Sequence, residues 1–216
     1  MRFQHGAGSA ILRRMRLKFG QVEALVVGMH AVTTRKKNAL RGRFRHFQRD
    51  NFPAGINVGR GPRVAYGVDE TFKLVFAFEL LAARIPPVAV APIVEAGWPA
   101  FLEMVRLAGM AHLDGREVAP GHRALGLIPL DGLEDQRRDD FDPSAPERAV
   151  IIPAASAGDL GTALPYRRAL LIDFAGVVAA ALTALAGMEG VDMAEVETAI
   201  RALPPGPADA YHGEDE

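Results

Sequence analysis

Charge is divided along this chain at a single boundary. The first 63 residues hold 14 lysines and arginines against only Glu23 and Asp50, whereas the remaining residues hold 11 basic and 24 acidic side chains. The formal net charge of −1 is therefore the cancellation of +12 by −13. So many like charges must be kept on a solvated face, and a face of that sign attracts polyanions. The division predicts a basic, polyanion-binding module joined to an acidic module with another task.

A hydrophobic content of 49% gives a chain of 216 residues enough apolar side chains for a substantial core. The absence of cysteine excludes disulfides, thiolate zinc sites, thiol redox switches and cysteine nucleophiles together, because each needs the sulfur. The longest apolar stretch, residues 174–187, is Ala-rich and about 14 residues long, short of the ~20 that cross a bilayer. No membrane span is expected, and the setting implied is cytoplasmic and nucleoid-associated. Residues 1–10 lack the apolar region of a signal peptide, and Arg13, Arg14 and Arg16 break up the apolar pairs beyond them. Residues 1–16 read as a flexible basic arm, with Met1 or Met15 as the start.

Val22, Leu25, Val26 and Met29 recur at helical spacing and predict a short amphipathic helix over residues 21–29. A break at residues 28–32 precedes a second helix, with Thr33 or Thr34 as its cap and Leu40, Phe44 and Phe47 as its apolar stripe. Its other face carries Arg35, Lys36, Lys37, Arg41, Arg43, Arg45 and Arg49, with Asn38, His46 and Gln48 among them. Pro53 ends this helix by Phe52. Two β-prone pieces around Gly59-Arg60-Gly61-Pro62 then read as a β-hairpin wing with a basic tip.

A third helix is expected over residues 69–83, with Phe72, Val75, Phe76 and Leu80 on one face, stopped by Ile85-Pro86-Pro87. Pro87 suits the first turn of a fourth helix that Pro92 bends or shortens, and Gly97-Trp98-Pro99 separates it from a fifth over residues 99–107. Residues 110–167 are rich in Gly, Pro and Asp, with strand candidates at 124–128 and 149–152. A buried strand at 168–173, a helix at 175–186 ended by Gly187 and a last helix opened by Asp192 and Glu195 complete the pattern.

Helix, turn, basic helix, wing and helix pair, in that order, resemble the DNA-binding domain of MerR-type winged helix-turn-helix regulators. The sharpest likeness is Arg63-Val64-Ala65-Tyr66-Gly67-Val68-Asp69-Glu70-Thr71-Phe72-Lys73-Leu74, continued by Phe76-Ala77-Phe78-Glu79-Leu80-Leu81 and Ile85-Pro86-Pro87-Val88. There the family has a wing strand with Arg and Tyr, an acidic cap, an apolar helix and a short capped helix. Leu40-Arg41-Gly42-Arg43-Phe44-Arg45 replaces the family's Arg-Tyr-Tyr run, the metal-binding or redox-sensing cysteines of some members are missing, and residues 99–107 are too short for its long coiled-coil helix. The resemblance therefore carries over the DNA-binding half, and no claim about an inducer follows from it.

The fold class expected is mainly α with small β: a winged helix-turn-helix over residues 17–97, a connecting helix at 98–112, an acidic α/β region at 113–203 for dimerisation or partner contact, and a disordered tail at 204–216. With the basic helix in a major groove, Arg41 and Arg45 would face guanine edges and Asn38 adenine. Arg43 extends the same basic face. Arg35, Lys36, Lys37 and Arg49 would hold phosphate, and Arg60 and Arg63 the backbone or minor groove beside it. His30 and His46 would lie near the DNA, with His112 and His122 ordinary loop residues. The partners expected are double-stranded DNA and a second copy of the chain, since a dimer reading two half-sites gains affinity and specificity. The small residues of the helix at 175–186 suit either a core helix or that dimer interface.

Enzymatic chemistry finds little footing. Ser9, Ser144 and Ser156 are the only serines, and none lies in a Gly-x-Ser-x-Gly elbow. Asn57-Val58-Gly59-Arg60-Gly61 lacks the later glycine and the Lys-Ser or Lys-Thr ending of a phosphate loop. Asp131, Asp135, Asp139, Asp140 and Asp142 lack calcium-loop spacing and read as a solvated linker, and the histidines show no i, i+4 pair. The chain is thus expected to be a sequence-specific transcriptional regulator without cofactor or metal. The alternatives are a non-specific architectural protein or an adaptor contacting RNA or an acidic partner, and last a metal-dependent nuclease.

Overall fold

The computed structural model describes residues 15–55, 65–116, 124–129, 150–153 and 169–205. Helices dominate them, with two small antiparallel sheets. Strand β1 (Leu17–Lys18) leads directly into helix α1 (Phe19–Met29), whose start is closed by the Gln21 side chain accepting from the Lys18 amide at 2.9 Å. After a turn in which Ala31 takes a left-handed backbone (φ 47°), a 3-10 turn at Thr34–Lys36 runs into α2 (Lys37–Arg49). Neither Thr33 nor Thr34 serves as a side-chain cap here, contrary to expectation; Thr33 precedes the 3-10 turn, and Lys36 precedes α2.

Strand β2 (Ala65–Tyr66) pairs with β1, Leu17 opposite Tyr66 and Lys18 opposite Ala65. The other expected wing strand and the tip, residues 56–64 with Arg60 and Arg63, lie outside the described residues. This pairing corrects the assignment of residues 15 and 16 to a flexible arm: Met15, just ahead of the sheet, is buried in the core beside Leu17.

Helix α3 (Val68–Ala82) opens with the Glu70 carboxylate accepting from the Gly67 amide at 2.8 Å. It is buried on nearly every side, because two aromatic clusters meet on it. On one side Phe78 packs on Phe44 and Phe47, with centroids 4.5 and 5.7 Å away, which docks the apolar stripe of α2. On the other side Phe76 meets Phe101, at 5.3 Å, and Phe174, at 4.8 Å. Each such pair adds about 0.5–1.5 kcal/mol beyond its buried area.

The separate fourth and fifth helices expected from Gly97-Trp98-Pro99 are one continuous helix, α4 (Pro87–Leu113), which contains both Pro92 and Pro99. It also absorbs the connecting helix expected at 98–112 and replaces the short segment expected after the winged region. An internal proline removes one backbone hydrogen bond and costs about 3 kcal/mol. Burial of Val90, Val94, Trp98, Phe101, Met104, Val105 and Ala108 along one face offsets that cost, at about 1.5–3 kcal/mol for each large side chain. Gly97 lies under the Phe101 ring, and Trp98 donates to Asp69 at 3.3 Å while Lys73 sits over its indole. With 27 residues, α4 also exceeds the apolar stretch singled out in the sequence and has the length and composition of a membrane span. Its buried face instead packs on α3 and the C-terminal helices.

Strands β3 (Ala124–Pro129), β4 (Val150–Pro153) and β5 (Ala169–Asp173) form an antiparallel sheet in the order β4-β3-β5. The expectation of a buried strand does not hold for β5. Among the described residues it lies at the edge of its sheet, with Leu171 43% exposed and Leu170 and Ile172, on the other face, packed against the core. Asp173 caps α5 (Phe174–Ala186) through the Gly176 amide, and Asp192 caps α6 (Met193–Arg201) through that of Ala194. These helices join the same hydrophobic cluster as α1, α3 and α4: Phe174, Val178, Leu182, Leu185, Val196 and Ile200 are all buried in it. His112, expected in a loop, stands in the last turn of α4, within 3.5 Å of Thr183 on α5.

Candidate nucleic-acid interface

Helix α2 sorts its side chains by angle. Leu40, Phe44 and Phe47 form the buried line, and Asn38, Gly42, Arg45 and Arg49, spaced i, i+4, i+7 and i+11, form the line opposite, exposed throughout. Arg41 and Arg43 stand on the two flanks, and Arg35, Lys36 and Lys37 crowd the N-terminal end. Within residues 15–55, nine lysines and arginines face only two acids. No side chain caps the start of α2; the 3-10 turn ahead of it instead holds the Lys36 and Lys37 amides on the carbonyls of Thr33 and Thr34.

The two acids are both engaged. Glu23, on α1, has a side chain only 9% exposed and accepts two hydrogen bonds from Arg41, from Nε at 2.6 Å and Nη2 at 3.1 Å. This pairing holds the Arg41 guanidinium above its already high ordinary pKa, first through the hydrogen bond and then through the charge of Glu23. The Arg41 guanidinium, expected to face a guanine edge together with Arg45, is turned back onto α1 in this structure, where it ties the two helices. Asp50 lies at the far end, with His46 Nδ1 at 3.1 Å and Arg49 Nε at 3.6 Å, while Arg49 also reaches His46 at 2.8 Å. Among the described residues, no ion pair engages Arg35, Lys36, Lys37, Arg43 or Arg45.

Ring contacts and one hydrogen bond mount this face on the rest of the fold. The Phe44 ring packs edge-on to Phe19 of α1 and tilted on Phe78 of α3, and Phe47 meets Phe52 just beyond the helix. Gln48 donates to the hydroxyl of Tyr66 at 3.4 Å, linking α2 to β2. Burial raises the pKa of that phenol, so it stays neutral. His30, expected near the ligand, is half-buried at the end of α1 with its Nε2 3.7 Å from Glu79 of α3. It therefore anchors the turn. The sequence missed this role, and that of Glu23, because both depend on which helix lies alongside.

Among the described residues, no group of three or more histidine, aspartate or glutamate side chains is arranged to hold a metal ion. The aspartates at 131–142 and His122 lie outside the described residues. No known protein family, characterised protein or solved structure matches this chain.

Proposed function

We propose that the chain is a double-stranded DNA-binding regulator that lays α2 in the major groove, in the manner of the MerR-type winged helix-turn-helix. One observation carries the proposal: α2 sets an outward line of Asn38, Gly42, Arg45 and Arg49 directly opposite its buried apolar stripe, with Arg43 on one flank and Arg35, Lys36 and Lys37 at its N-terminal end outside any ion pair among the described residues. Duplex DNA carries one negative charge per ~1.7 Å, and its major groove admits a single α-helix. Arg45 and Asn38 supply the two side-chain types that recognise guanine and adenine edges, and Arg35, Lys36, Lys37 and Arg43 supply phosphate contacts. Arg41 acts from behind, holding α2 against α1 through Glu23.

A fluorescence-anisotropy titration with random genomic duplexes, at two salt concentrations, tests this reading. Tight binding at low salt, weakened steeply by added salt, and enrichment of particular fragments are expected. Binding without enrichment would reduce the protein to an architectural role. Absence of binding at low salt would end the proposal and favour an acidic protein partner.

A further inference from the structure

Among the described residues, three glycines stand inside helices, away from the first and last turns: Gly42 in α2, and Gly97 and Gly109 in α4. Packing accounts for two of them. A Cβ on Gly97 would lie 2.8 Å from the Phe101 ring, and one on Gly109 2.9 Å from Ile200 Cγ2. A Cβ on Gly42 would meet nothing within 4 Å, and its backbone needs no left-handed angle. Glycine is the poorest choice short of proline in an exposed helix interior, so no contact within the described chain favours it there.

Gly42 lies between Asn38 and Arg45 on the outward line of α2, one turn from each. Its missing side chain leaves a notch in the middle of the most basic surface of the described structure. Resting on the DNA-binding reading above, we propose that Gly42 is the point at which α2 makes its closest approach to duplex DNA. The absent side chain lets the helix backbone settle onto the groove, which brings Asn38 and Arg45 within reach of base edges. Charge complementarity selects the duplex as occupant, and groove geometry selects DNA over RNA, whose major groove is too deep and narrow for a helix.

The test compares the full chain with its Gly42→Ala and Gly42→Lys variants, by anisotropy on a duplex that the wild type selects, with thermal melting alongside. Gly42→Ala is expected to melt higher yet bind roughly tenfold more weakly, a loss of the size of one good base contact. Gly42→Lys, despite its added positive charge, is expected to lose at least as much on DNA. On double-stranded RNA of the same sequence it should gain affinity, as charge alone dictates. If either variant binds the DNA as tightly as the wild type, or Gly42→Lys weakens both duplexes alike, the close approach is wrong while DNA binding stands. A wild type that binds no DNA overturns both proposals.

Discussion

Arg41 of α2 grips Glu23 of α1 through two parallel hydrogen bonds, and the carboxylate it holds is almost wholly buried while the guanidinium is half in solvent. A buried carboxylate tolerates its environment only when it is paired, so the pair should behave as a unit. Arg41→Ala leaves Glu23 uncompensated and should lower the urea midpoint more than the Arg41→Ala, Glu23→Gln double variant does. A double-mutant cycle by denaturation checks this; additive effects would show that the contact contributes no coupling. The same cycle on DNA affinity separates a scaffolding role of Arg41 from a base-reading one.

The outward residues make a different prediction. Arg45→Ala should cost about 1–3 kcal/mol of binding to the preferred duplex and relax selectivity at one position. Lys36→Ala should weaken all duplexes about equally and reduce the slope of log affinity against log salt by about 1. Salt titrations on preferred and scrambled duplexes measure both. Equal behaviour of the two variants would contradict the division between base and phosphate contacts.

Phe174 opens α5 and lies 4.8 Å from Phe76 and 4.7 Å from Phe101, centroid to centroid. Phe174→Ala should therefore destabilise by about 3–5 kcal/mol, a large part of the ~5–15 kcal/mol typical of a domain. The single tryptophan, Trp98, stands 6.2 Å from Phe76 and reports on the same cluster. Its fluorescence and far-ultraviolet circular dichroism should change in one coincident transition, with the midpoint lowered in the variant. Two separated transitions would mean that the C-terminal helices unfold independently of α3.

Asp114, at the end of α4, accepts hydrogen bonds from Arg201 of α6 and from Arg116, and these hold its carboxyl below the ordinary aspartate range. A depressed folded pKa contributes stability that is present above the ordinary value, 3.8, and is lost as pH falls through the lower folded value. Asp114→Asn should accordingly be less stable than the wild type at neutral pH, with the difference shrinking below pH 3.8. Denaturation midpoints of both proteins across that range provide the check. A constant difference would assign the effect to packing of the side chain instead of its charge.

Much of the local structure is legible in the chain itself. The spacing of Leu40, Phe44 and Phe47 determines α2 and, by exclusion, its basic face; Asp192 marks the start of α6. These signals are local, because a helix period or a cap involves residues within a turn or two of one another. Decisions between distant segments have no such signature. Tertiary packing alone carries α4 through Pro92 and Pro99, since the lost backbone bonds are outweighed only once Phe101, Met104 and Val105 find α3 and α5. It likewise draws Met15 into the core, brings Phe174 to Phe76, and turns Arg41 toward Glu23, away from the face its sequence position suggested. The sequence by itself determined where positive charge would collect, and the fold decided which of those charges remain free to meet a partner, because an arginine beside a buried carboxylate binds it first.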